Sequence, residues 1–177
     1  FREDDKMGGY DPYSSSKACS EIISAAYRRS YFEKAGISIA TARAGNVIGG
    51  GDWALDRLIP DVLRAFKKNH AVTIRNSNAV RPWQHVLEPL SGYLLLAERL
   101  FEDGKKYSGG WNFGPKDNDC KQVSWIVDKL CELWEIQIER LSSGQGGPYE
   151  SGFLMLDITK ARQLLGWEPV WPLNATL

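Results

Sequence analysis

The chain is poor in the residues that build metal centres and disulfide frameworks: its 177 residues include three cysteines and two histidines. Cys19, Cys120 and Cys131 are odd in number and far apart, which argues against a disulfide scaffold and for reduced thiols in a cytoplasmic protein. Neither His70 nor His85 has a second ligand-type residue at metal spacing, so no metal site is expected. Net charge is lacking too. Lys and Arg total 22 and Asp and Glu total 22, so no overall field draws the chain to nucleic acid or to an anionic membrane, and any anion must be held by individual arginines. The longest apolar runs, such as Leu94-Leu95-Leu96-Ala97, fall far short of the ~20 residues a membrane-spanning helix needs. Signal-peptide, repeat and low-complexity patterns are not visible. What is present is 43% hydrophobic residues and 17 glycines, enough to bury a core in one or two domains.

Apolar periodicity predicts helices alternating with short strands. The first helix runs from about Pro12 to Lys34 and stops at Gly36, with Ala18, Ile22 and Ala26 on its core stripe beside Cys19, Ile23 and Tyr27. A strand from Ile37 to Ala42 leads into a glycine-rich loop, Arg43 to Asp56. A helix from Arg57 to Lys68, a strand at Val72-Thr73-Ile74 and a helix from Glu88 to Phe101 follow. Beyond them come a strand at Trp111-Asn112-Phe113, a helix from Val123 to Trp134, a strand from Gln137 to Leu141, a second glycine-rich loop, and a helix from Ile158 to Leu165 closed by Gly166. Alternation of this kind implies an α/β fold with parallel pairing.

The chemistry-bearing pattern opens the first helix. In Gly9-Tyr10-Asp11-Pro12-Tyr13-Ser14-Ser15-Ser16-Lys17, Asp11 suits the N-cap and Pro12 the first helical position, so Tyr13 and Lys17 lie one turn apart on one face. Bringing a phenol from a pKa of about 10 toward 7 takes roughly 4 kcal/mol of preferential phenolate stabilisation. A nearby ammonium and the positive end of a helix both act in that direction.

Gly49-Gly50-Gly51-Asp52-Trp53-Ala54 formally satisfies a dinucleotide fingerprint but fails on context. Arg43 to Ile48 separate it from the strand end, Asp52 would set a carboxylate against a diphosphate, and Arg75 stands where an acidic ribose ligand belongs. In Asn78-Ala79-Val80-Arg81-Pro82-Trp83-Gln84-His85-Val86-Leu87-Glu88-Pro89-Leu90, an arginine beside a proline and an indole can fork onto a diphosphate while the ring packs beneath. His85 reads as a structural histidine.

The Tyr13–Lys17 segment with its Gly8-Gly9 and Asp11-Pro12 flanks resembles the active-site helix of the extended short-chain dehydrogenase/reductases. Arg43-Ala44-Gly45-Asn46-Val47-Ile48-Gly49-Gly50-Gly51-Asp52 resembles a loop of the nucleotide-sugar epimerases and dehydratases within that NAD-dependent family. Arg81-Pro82-Trp83-Gln84-His85-Val86 resembles the version found in the branch that dehydrates CDP-glucose. Three further stretches agree: Asp56-Arg57-Leu58-Ile59-Pro60-Asp61, Gly110-Trp111-Asn112-Phe113-Gly114-Pro115, and Leu156-Asp157-Ile158-Thr159-Lys160-Ala161-Arg162 with Leu165-Gly166-Trp167-Glu168-Pro169.

The resemblance implies a Rossmann-type doubly wound parallel sheet, represented by its C-terminal part, plus a smaller mixed α/β substrate-binding domain. Residues 1–48 are expected to be a Rossmann remnant carrying the active-site helix and 49–87 a substrate-binding segment. Residues 88–113 are expected to return to the Rossmann sheet, and 114–177 to form the substrate-binding domain. It further implies a lyase that uses NAD to oxidise a sugar at C4, eliminates water across C5 and C6, and returns the hydride to C6. Tyr13 then acts as acid/base, and Lys17 orients it and grips the nicotinamide ribose. Val47 meets the nicotinamide through its backbone, and Asn46, Arg57, Arg81, Trp83 and Glu150 bind CDP-glucose or a related nucleotide sugar.

A 4-epimerase, a dTDP- or GDP-sugar dehydratase, or a noncatalytic relative that keeps the fold are the alternatives. The parent enzyme is expected to be a homodimer or larger homo-oligomer. The opening at Phe1 and the stop at Leu177 are read as truncations, with the cofactor fingerprint and the elimination residues upstream.

Overall fold

A computed structural model describes residues 1–142 and 151–177. In chain order the elements are α1 (Pro12–Tyr27), β1 (Ala40–Ala44), β2 (Asn46–Ile48), α2 (Leu58–Lys68), β3 (Val72–Ile74), β4 (Val80–His85) and α3 (Leu87–Glu102). They continue with α4 (Gly104–Tyr107), β5 (Gly109–Phe113), β6 (Cys120–Gln122), α5 (Val123–Leu133), β7 (Arg140–Ser142) and α6 (Leu173–Thr176). Wide, π-type turns extend α1 over Arg28–Phe32 and, at Ala161–Leu165, continue a helical start at residues 159–160. The chain divides into two compact units.

The first unit comprises Phe1–Gly45, Leu87–Gly114 and Leu156–Val170. Its sheet is β1 paired in parallel with β5, in register from Ala40 opposite Gly109 to Ala44 opposite Phe113. A parallel pair needs a long crossover, and the intervening chain, which includes α3, provides it. Leu96, Tyr107, Trp111, Phe113, Ala161, Leu165 and Trp167 form the buried core. Gly92 lets α3 approach the sheet, because a Cβ there would lie 2.3 Å from the Phe113 ring. Buried indoles need a partner for their N–H: Trp111 donates to the Tyr107 carbonyl at 2.8 Å and Trp167 to Ser91 Oγ at 3.0 Å. Gly166, at φ +69°, ends the Ala161–Leu165 turn as the sequence implies.

The second unit comprises Asn46–Val86, Pro115–Met155 and Trp171–Leu177. β4 lies between β2, parallel to it, and β6, antiparallel to it, while β3 pairs in parallel with β7. Its core draws Val62, Ala65 and Phe66 from α2, Ile126, Val127 and Leu130 from α5, and Ile48, Val72, Ile74, Trp83 and Leu173 from the strands and α6. The strand expected at 72–74 is observed at those residues, whereas the one expected at 137–141 begins only at Arg140. β2 and β4 had no counterpart in the sequence reading. Each is held by pairing, Asn46 opposite Trp83 through Ile48 opposite His85, rather than by a local pattern of alternation.

Two expectations change. The segment 114–177 does not stay in one piece, because Leu156–Val170 belongs to the first unit, where Ala161, Leu165 and Trp167 join its core. The core stripe assigned to α1 is also wrong: Ile22, Ile23 and Tyr27 are more than half exposed, and no residue of α1 is fully buried. The partly shielded positions are Ser14, Ser15, Ala18, Glu21, Ser24 and Ala25, a helical stripe that is mostly polar or small. Polar bonds from Glu21 to Thr41 and Arg43 tie the helix to β1.

Candidate active site

The sequence builds the start of α1 as expected. Asp11 is the N-cap, accepting from the Ser14 backbone N–H at 2.9 Å and from the Ser14 hydroxyl at 2.5 Å, and Pro12 follows it. These bonds hold the Asp11 carboxyl below its ordinary pKa, the Ser14 hydroxyl contributing most. One turn on, Lys17 places its ammonium 5.6 Å from the centre of the Tyr13 ring. Tyr13 is 72% exposed, so its hydroxyl is open to a ligand. The Lys17 ammonium makes no ion pair among the described residues and can donate to a second group.

The remaining candidates lie in the second unit. Asn46 and Val47 stand on β2 opposite Trp83 and Gln84 of β4. Val47 is 46% exposed, and Ile48 beside it is buried. Arg81, on the same face of β4 as Trp83, donates from Nη1 to the Val80 carbonyl at 2.9 Å. Arg57 occupies the N-cap position of α2 with its side chain exposed and making no capping bond. Glu150 lies outside the described residues.

Trp83 departs from its expected role. It is 4% exposed, sits in the core of its unit, and spends its N–H on the Lys121 carbonyl at 3.0 Å. An indole so enclosed braces β4 and has little face left for a ligand. His85 packs edge-on against Trp171 with ring centres 4.6 Å apart, a structural arrangement as read from the sequence. Gly49 also serves packing, since a Cβ there would lie 2.5 Å from Val86. That gives the first glycine of the formal fingerprint a role with no phosphate in it.

Sequence reasoning missed Glu21. It lies one turn beyond Lys17 on α1, and both its oxygens are engaged from β1. Arg43 donates from Nε to Oε1 at 2.9 Å and from Nη2 to Oε2 at 3.0 Å, and the Thr41 hydroxyl donates to Oε2 at 2.7 Å. The side chains are 19% and 24% exposed for Glu21 and Arg43. Arg43 bonding holds the Glu21 carboxyl low despite burial, and Glu21 raises the Arg43 guanidinium. The signal was available in the Thr41-Ala42-Arg43 alternation, which puts both donors on one face of a strand.

No group of three or more His, Cys, Asp or Glu among the described residues could hold a metal ion, and no helix there is long and apolar enough to cross a membrane. The three cysteines are free thiols.

Parallel strand pairs alternating with helices place the chain in the α/β class, and its likeness to solved structures gives the Rossmann-type fold. The chain belongs to the family described as GDP-mannose 4,6 dehydratase, whose profile matches residues 1–177. It is 54% identical over 182 residues to CDP-glucose 4,6-dehydratase of Salmonella typhimurium, a match covering all of this chain and 51% of that protein. It is 25% identical over 159 residues to a trifunctional UDP-glucose 4,6-dehydratase/3,5-epimerase/reductase of Arabidopsis thaliana, covering 89% of this chain and 22% of that one. The chain thus spans about half the length of the first of these curated relatives.

Among solved structures, MoeE5 in complex with UDP-glucuronic acid and NAD superposes with a TM-score of 0.85 at 22% identity, over 99% of this chain and 56% of that one. A dTDP-glucose 4,6-dehydratase of Bacillus anthracis in complex with NAD superposes with a TM-score of 0.78 at 20% identity, over 99% and 52%. At those identities the likeness establishes the fold.

Proposed function

We propose that the whole protein is a nucleotide-sugar 4,6-dehydratase that uses NAD to convert CDP-glucose to CDP-4-keto-6-deoxyglucose and water. The observation that carries the chemistry is the Lys17 ammonium held against an exposed Tyr13 at a capped helix start. Support for the substrate comes from the 54% identity, over the whole chain, to a curated CDP-glucose 4,6-dehydratase.

The residues present fit a nicotinamide cofactor. Tyr13 and Lys17 are exposed donors one turn apart, suited to ribose hydroxyls, and Val47, in the other unit, is itself 46% exposed. Bound NAD supplies a hydride acceptor and later a hydride donor. Tyr13, as phenolate, takes the proton of the sugar C4 hydroxyl. Lys17 stabilises that phenolate by charge and holds the ribose. Arg81 and Asn46 hold the diphosphate, with Arg57 as a further cation for the nucleotide sugar and Glu150 as a polar contact to it. We also take the enzyme to be a cytoplasmic homo-oligomer.

The test is turnover by the whole enzyme with NAD and CDP-glucose, followed by the alkaline absorbance of a 4-keto sugar. Product is expected from the parent and none from Tyr13→Phe, which keeps substrate affinity within about threefold because the hydroxyl moves a proton rather than binds. Near-normal turnover by the Phe variant contradicts the assignment.

A further inference from the structure

The spacing from Lys17 to Glu21 is one at which a lysine and a carboxylate on a helix can pair. In this chain they do not. Both Glu21 oxygens are taken by the Arg43 fork and the Thr41 hydroxyl, and the Lys17 ammonium lies over Tyr13 instead. The arrangement is built into the sheet as well as the helix. Gly110, the register partner of Thr41, leaves the room that the guanidinium fills, since a Cβ there would lie 2.9 Å from Arg43 Nη2. No residue of α1 is fully buried, and this clamp bonds the helix carrying Tyr13 and Lys17 to the strand behind it.

We infer that Glu21 is a positioning residue for the Tyr13–Lys17 pair: Arg43 and Thr41 lock it to β1, which fixes α1 on the sheet and withholds the carboxylate from Lys17. Arg43 and Thr41 act through Glu21 in the same device. Other charged groups that act on this neighbourhood are Glu3, which acts on Arg43, and Lys160, whose ammonium is bonded to the Gly110 carbonyl at 2.6 Å and is acted on in turn by Glu3, Arg28, Arg43 and Asp4. Releasing Glu21 therefore leaves Lys17 as its nearest partner on the helix, and an ammonium drawn toward Glu21 no longer stabilises the phenolate.

The inference rests on the acid/base reading of Tyr13, and its test separates the two. Arg43→Met, Glu21→Gln, the double variant, Thr41→Val and Tyr13→Phe are prepared in the whole enzyme. For each, kcat, KM for CDP-glucose, the pH profile of kcat and the thermal midpoint are measured.

In Arg43→Met the freed carboxylate is expected to lower kcat about tenfold at neutral pH, as small misplacements of catalytic groups do, with KM within twofold. The acid limb of kcat should move to higher pH, since an ammonium drawn toward Glu21 lends the Tyr13 oxygen less charge stabilisation. Adding Glu21→Gln to Arg43→Met removes the competing charge and should bring the limb back, even though the double variant still lacks the clamp. A merely structural ion pair would lower the thermal midpoint and leave the limb where it was.

An unshifted limb in folded Arg43→Met, or a double variant as shifted as the single, overturns the inference. If Arg43→Met does not fold, Thr41→Val removes one bond without changing charge. It should shift the limb in the same direction by less, and no shift there counts against the inference. Full activity in Tyr13→Phe removes the acid/base reading and the inference with it. An inactive Tyr13→Phe beside an unshifted Arg43→Met removes the inference alone.

Discussion

Arg81 and Trp83 sit two positions apart on one strand in different surroundings. The guanidinium is partly shielded and on the sheet face that also carries Asn46 by register, whereas the indole is enclosed in the core with its N–H satisfied. Arg81→Ala is expected to weaken CDP-glucose binding by about 2 to 4 kcal/mol, the cost of removing one partner of a desolvated charge pair, and Asn46→Ala to act in the same direction by less. Calorimetric titration checks both, and unchanged affinity in Arg81→Ala contradicts the diphosphate role. Trp83→Ala should instead cost about 3 to 5 kcal/mol of stability, as for other large-to-small changes in a core. Denaturant unfolding measures it. The sequence motif singled out Arg81 on guanidinium chemistry, and its diphosphate role awaits the titration. The motif could not tell a ligand-facing indole from a buried one, because both satisfy the same spacing.

At the scale of elements, caps and stops were legible and partners were not. Asp11, Pro12 and Gly166 act locally through their own backbone, and each stands where its residue type implied. Asp157 belongs with them: it accepts from the Thr159 backbone N–H at 2.8 Å and from Arg2 Nε at 2.9 Å. Its bonds to Thr159, ahead of the pairing with Arg2, bring its pKa down from 3.8 to about 2. A carboxyl lower in the folded state than in the unfolded one stabilises above the unfolded value and ceases to do so as pH falls. The contribution of Asp157 is therefore expected to be complete above about pH 4 and to fade as pH drops toward 2. Thermal midpoints of parent and Asp157→Asn should converge across that window, and a constant difference contradicts the account. The face of α1 was not legible, because periodicity marks an apolar stripe but not whether another element covers it. The tie used here is Glu21 to Arg43 across 22 positions of chain.

For the whole molecule, the alternation of helix and strand was enough to imply α/β with parallel pairing, and among the described residues three of the four strand pairs are parallel. The return of Leu156–Val170 to the first unit was hidden, since a short helical segment carries no mark of which core it joins. Family membership rests on the full length of the chain, and the proposed reaction on the Tyr13–Lys17 pair together with the identity to a CDP-glucose 4,6-dehydratase. The central claim is that one enzyme oxidises C4 and reduces C6 of the same sugar. Turnover of CDP-glucose deuterated at C4 by the whole enzyme, with the product analysed by mass and by NMR, tests it most directly. Deuterium recovered at C6 of a 4-keto-6-deoxy sugar is the expected result. Deuterium retained at C4 of an epimerised hexose, or no conversion at all, would contradict the account.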